Sequence, residues 1–92
     1  MKISILLPYK ENFSPNYAGA VSLFVNDITN KSTYNKTTSV FGNTQYKKFL
    51  SDKYVNLSID KKVFLSTSSQ YVKNFLIYEK KRNSDLIEVH NR

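Results

Sequence analysis

The chain opens "KISILLPYKENFSPNYAGAVSLFVNDI", residues 2–28, and the change of period inside this stretch sets the fold. Lys2 to Pro8 is an almost continuous apolar run. Such a run reads as a strand buried on both faces, as in a parallel sheet. Pro8 ends it, because proline has no N–H to give a ladder. "YKENFSPNYAGA" is polar and holds Pro15 and Gly19, so it reads as a loop. From Gly19 the period becomes helical. Val21, Phe24, Val25 and Ile28 stand at i, i+3, i+4 and i+7, which predicts a helix from Ala20 to Asn30.

The rest of the chain repeats the alternation. "KTTSVFG", Lys36 to Gly42, is β-branched and aromatic and stops at a glycine, a second strand. "NTQYKKFLSD" sets Tyr46, Phe49 and Leu50 at helical spacing, so one or two helical turns are expected. "KYVNLSI", Lys53 to Ile59, alternates Tyr54, Asn56 and Ser58 against Val55, Leu57 and Ile59, a half-buried third strand. "DKKVFLSTSS" reads as a loop with room for a helical turn and good N-caps. "SSQYVKNFLIYEKKR" puts Tyr71, Val72, Phe75, Leu76 and Glu79 on one side of a helix. Lys80, Lys81 and Arg82 suit its C-terminus. "NSD" breaks the helix, and "DLIEVHN" is a fourth strand.

Strands that alternate with helices favour parallel βαβ units with right-handed crossovers. The expected fold is α/β: a partial Rossmann-like three-layer arrangement of about four parallel strands with flanking helices, half of a doubly wound sheet. At 92 residues the chain holds one small domain with one modest core. Phe24, Phe41, Phe64 and Phe75 are expected in that core.

Composition removes several chemistries. There is no cysteine, so disulfides, thiolate catalysis and Cys-ligated zinc are excluded. One histidine and seven scattered carboxylates argue against a transition-metal site. No apolar run approaches the roughly 18 residues of a membrane span, and no signal peptide is visible. The chain reads as cytoplasmic. It is basic, with 14 Lys and Arg against 7 Asp and Glu. That excess suits a polyanion or an anionic lipid surface. The basic pairs and the Lys80–Arg82 run are separated by apolar segments, so a solvated surface is favoured over a nucleic-acid site.

In doubly wound sheets, ligands sit at the carboxyl ends of the strands near the topological switch point. Two segments here belong to that edge: the loop that ends "YAGAV" and the strand tip "HNR". A loop that opens a helix at a glycine can present N–H groups to an anion, and the helix N-terminus adds roughly half a positive charge. Gly19 could also be a plain turn glycine, since no GxGxxG or GxxxxGKS is present. His90, the sole histidine, would point into the same crevice, able to exchange a hydrogen bond or a proton with a ligand. Asn91 and Arg92 could bind a polar or anionic ligand or stay solvated. Tyr9, Phe13 and Tyr17 could stack on a sugar or pack on each other.

These segments carry a resemblance. Residues 2–28 resemble the start of family 4 glycosyltransferases of the GT-B fold. There an apolar strand ends near proline, and a "GGA"-like turn leads into the first helix. Here the turn is Ala18-Gly19-Ala20, with Ala18 where the first glycine of the usual pair would stand. The end, "SDLIEVHNR", resembles the family's fourth-strand segment, which closes "VHNRP". The middle, from Lys31 to Gln70, carries no specific motif.

The resemblance implies a retaining transferase that moves a sugar from a nucleotide diphosphate sugar to a glycan or lipid-linked acceptor, such as a cell-envelope polysaccharide. It implies no cofactor and no bound metal. Ala18, Gly19 and Ala20 would approach the donor phosphates, His90 would orient the transferred sugar, and Asn91 and Arg92 would lie beside it. Tyr9, Phe13 and Tyr17 would belong to the acceptor-side loop. Residues 1–92 would form an incomplete N-terminal, acceptor-side domain without the C-terminal donor domain, inactive alone. Its place would be the cytoplasm, with room for peripheral contact at the inner face of the membrane. The last strand, left as an apolar edge, is expected to promote self-association. Two other readings stay open. A stand-alone flavodoxin- or receiver-type binding module would show flavin absorbance or phosphorylation, and a basic nucleic-acid binder would bind oligonucleotide at low salt.

Overall fold

The computed structural model describes residues 1–60 and 66–90. The opening apolar run forms β1 (Ile3–Leu6), and its side chains alternate between two cores. Ile5 and Leu7 enter one buried cluster and Leu6 enters the other. A strand that feeds both cores is central, which is why its sequence is apolar without a break.

After β1 come α1 (Ala20–Lys31), a single 3-10 turn (Asn35–Thr37), β2 (Thr38–Gly42), β3 (Tyr54–Asn56), α2 (Thr67–Arg82) and β4 (Leu86–Val89). The four strands lie in the order β3-β2-β1-β4, and each neighbouring pair is parallel. The registers Ile5↔Val40 and Ile5↔Glu88 set β2, β1 and β4 side by side. This is the expected partial Rossmann-like α/β sheet. The chain reverses direction across the sheet between β1 and β4, so the topological switch point lies there.

Each helix covers one face. Val25 of α1 packs with Ile5, Leu7, Phe13, Val40 and Tyr54. Tyr71 and Phe75 of α2 pack with Leu6, Phe41 and Leu57. Three expectations need correction. Phe24 is 58% exposed, because the face of α1 turned to the sheet carries Ser22, Val25 and Thr29. Val72 and Leu76 are also exposed, since α2 buries the narrower stripe Gln70, Tyr71, Phe75 and Glu79. Residues 43–53 form no helical turn. The helical spacing of Tyr46, Phe49 and Leu50 instead serves three separate anchors of one irregular loop. Tyr46 meets Tyr17, Phe49 packs on Tyr54, and the Leu50 N–H donates to the Phe13 carbonyl at 3.2 Å. Phe64 lies outside the described residues.

The amino end of the sheet is tied by a polar network. Arg82 donates to the carbonyls of Ile3 (2.7 Å) and Thr37 (2.6 Å) and to Ser4 Oγ (2.8 Å). Glu79 accepts from the N–H and hydroxyl of Ser84, at 2.6 and 2.7 Å. Asn83 ends α2 in the left-handed conformation with φ of 52°, a common role for asparagine. The opposite, carboxyl end is left for loops.

Candidate functional site: the carboxyl edge of the sheet

All four strands are parallel, so the segments after β1, β2, β3 and β4 leave the sheet at one edge. The loop after β1 is the most elaborate. Two of its residues, Lys10 and Tyr17, hold positive φ, at 68° and 54°. Its centre is Phe13, which has no exposed surface and stacks on Tyr54 with ring centroids 5.2 Å apart. Phe13 is therefore a core residue and is closed to a ligand. Tyr9 is half-buried and tilts on Tyr71 at 5.3 Å. Tyr17 is 82% exposed.

At the end of this loop Gly19 is the N-cap of α1, with extended backbone (φ −75°) and no side chain to cap the helix. The cap comes from elsewhere. The buried carboxylate of Glu11 accepts the Ser22 N–H at 3.1 Å and the Ser22 hydroxyl at 2.8 Å. A β-carbon on Gly19 would lie 1.9 Å from Glu11 Oε2. Gly19 is thus small because a carboxylate rests on it. An anion does sit at the start of α1, as helix electrostatics favour, and it belongs to the chain itself. Ala18 is half-buried and Ala20 is exposed beside it. No local pattern marks Glu11, which stands 11 residues before the serine it holds.

His90 follows β4, and its N–H donates to the Leu6 carbonyl at 3.0 Å. This bond continues the β1–β4 pairing to the carboxyl edge. The imidazole is about a quarter exposed, and Nε2 lies 3.5 Å from Glu88 Oε2. Nε2 is itself shielded from solvent and has no hydrogen-bond partner among the described residues. Asn91 and Arg92 lie outside the described residues.

Tyr71 reaches this edge from α2. Its hydroxyl donates to the Leu7 carbonyl at 2.6 Å, where the first loop begins. Burial, with the nearby Tyr54 and the negative charge of Glu11, pushes the Tyr71 hydroxyl well above its usual range. Burial does the same to Tyr54. Both stay protonated donors: Tyr54 holds Asn56 Oδ1 at 2.9 Å.

The open space at this edge lies over β1, β2 and β3. Tyr9, Lys10 and Asn12 from the first loop, Asn43, Thr44 and Gln45 after β2, and Ile59 after β3 line a cleft of about 460 Å³. Of the residues marked from the sequence, Tyr9 lines it; Gly19 and His90 do not. An asparagine network shapes its wall. Asn56 Oδ1 accepts the Thr44 N–H at 2.8 Å, and Thr44 Oγ1 donates to Asn12 Oδ1 at 2.9 Å. Asn43 Nδ2 donates to the Leu57 carbonyl at 2.7 Å. Reading "GNTQ" as a strand end rather than a helix start would have placed these residues at the ligand edge.

Among the described residues no helix is long and apolar enough to cross a membrane, and no three His, Asp or Glu side chains gather where a metal ion could be held. Compared with known proteins, the chain matches no family model, no curated protein and no solved structure.

Proposed function

We propose that the chain supplies the acceptor-side sheet of a retaining glycosyltransferase, which moves a sugar from a nucleotide diphosphate sugar to a glycan or lipid-linked acceptor. What carries the reading is the pairing of two motif-bearing segments. The "AGAV" turn follows β1, and β4 ends at Val89 with His90 directly after it; these strands are neighbours that open to the same edge at the switch point. In this reading His90 orients the transferred sugar. The amides around Gly19 stabilise the leaving diphosphate, and neither acts as a nucleophile. A diphosphate that reaches Gly19 must first displace Glu11 from Ser22. The donor nucleotide belongs to a second Rossmann-like domain, so transfer is a property of this sheet joined to such a domain. Nucleotide-sugar donors put the work in the cytoplasm, with peripheral membrane contact where the acceptor is lipid-linked.

The test is release of nucleoside diphosphate from a panel of nucleotide sugars by the protein of the complete reading frame. His90→Ala is expected to lower turnover by about 100-fold or more, as loss of an oriented polar contact does, and to leave nucleotide affinity intact. Full turnover in His90→Ala, or a reading frame without a second nucleotide-binding domain, would sink the proposal. The Glu11 cap favours a second reading, a binding module that takes its ligand in the cleft and nothing at Gly19. Nucleotide sugar that shifts the Gly19 and Ser22 amide resonances excludes this second reading.

A further inference from the structure

We propose that the cleft over β1, β2 and β3 binds a monosaccharide bearing one negative group, a phosphate or a carboxylate. This names the ligand class on the acceptor side of the proposed function and to that extent rests on it, but the experiment below reads the cleft alone.

The cleft, about 460 Å³, falls within the roughly 300–1,000 Å³ typical of small-molecule sites. Its polar lining is mostly uncharged: Asn12, Asn43, Thr44 and Gln45. A sugar hydroxyl both donates and accepts, so it needs donors and acceptors held in place together. The asparagines supply one of each. Asn12 commits its Oδ1 to Thr44, which turns its Nδ2 donor free of that bond. Asn43 commits its Nδ2 to the Leu57 carbonyl, which leaves its Oδ1 as the acceptor. Each amide is oriented by a hydrogen bond to the scaffold, which lowers the entropy cost of binding. Tyr9 and Ile59 add an aromatic and an aliphatic surface for the C–H face of a ring.

The charge of the ligand follows from Lys10. Among the described residues that line the cleft it is the single charged side chain, and no carboxylate joins it. The neighbouring acid, Glu11, turns its carboxylate to Ser22. Lys10 Nζ rests 5.6 Å from the Tyr9 ring centroid. A cation–π contact at an exposed site is worth about 0.5–1 kcal/mol, weak enough to yield to an anion. Asn12, Asn43 and Gln45 identify hydroxyls, Tyr9 the ring, and Lys10 the anion.

The test is titration of the ¹⁵N-labelled chain with glucose, galactose and mannose, with their 6-phosphates, with glucuronate, and with inorganic phosphate, read from backbone amide shifts. At least one anionic sugar should shift the amides of Lys10, Asn12 and Asn43–Gln45 saturably, and its neutral parent should bind roughly tenfold more weakly, as loss of a charge-assisted bond implies. The 6-phosphate and glucuronate arms separate the two kinds of anion. Lys10→Gln should abolish the difference between charged and neutral sugar. Gln45→Ala, at an exposed position, should weaken both. No saturable shift with any sugar, equal shifts with inorganic phosphate alone, or an unchanged preference in Lys10→Gln would each overturn the proposal. Sugar binding without transfer in the complete protein would count against the transferase alone. Transfer without these shifts would count against the cleft.

Discussion

Gly19 looks like a glycine chosen for its backbone, yet its φ of −75° is open to any residue. What it lacks is room, because Glu11 Oε2 occupies the place of a β-carbon. Gly19→Ala should therefore lower stability by about 1–2 kcal/mol, the scale of a lost helix cap. In a Glu11→Ala background, where the cap is already gone, the same change should cost almost nothing. Urea unfolding of the four proteins measures this coupling; equal costs in both backgrounds would show that Gly19 acts through its backbone. Tyr71 makes a similar long-range contact. Tyr71→Phe keeps the ring among Leu6, Phe41 and Phe75 but strips the Leu7 carbonyl of its donor. The expected loss is about 1–3 kcal/mol by urea unfolding, the cost of a buried unpaired acceptor, and an unchanged midpoint would refute it. The apolar residues around both sites were legible in the sequence, but their polar partners were not. Glu11 and Tyr71 act across 11 and 64 positions, beyond any local pattern.

Among the elements, α2 is fastened most firmly at its C-terminal end. Burial alone would raise the Glu79 carboxyl. Hydrogen bonds from Ser4 and Ser84 and the charge of Arg82 outweigh it and hold the group below its usual range. A carboxyl lowered by folding adds stability above its unfolded value, and that contribution is lost as pH falls through the folded value. The urea midpoint of the parent chain should thus fall more steeply below about pH 4 than that of Glu79→Gln. Parallel curves would remove Glu79 from the acid response. The element types of β1, α1, α2 and β4 were legible because each carries a run of one period. The segment at residues 43–53 misled because three aromatic and aliphatic anchors at helical spacing serve three different neighbours. Period reports a shared face only when the residues face the same partner.

At the scale of the whole sheet, β4 is an edge strand among the described residues. It pairs with β1, and Leu86, Ile87 and Val89 are each more than two-fifths exposed. An apolar edge of this kind pairs readily with another strand, against the repulsion of a net charge of +7. Sedimentation velocity should show association that grows with concentration and with salt, and Ile87→Lys should reduce it. A single monomeric species at high salt would refute this. The order of periods along the chain was enough to imply a parallel α/β sheet with β1 at its centre, because an unbroken apolar strand must be covered twice. The locations of Gly19 and His90 at the carboxyl edge followed from the same order. Folding alone settled what those positions meet. It brought Glu11 onto Gly19, drew Phe13 into the core and opened the cleft over β1 to β3 rather than at the switch point. Those outcomes depend on side chains distant in sequence competing for the same space and the same hydrogen bonds.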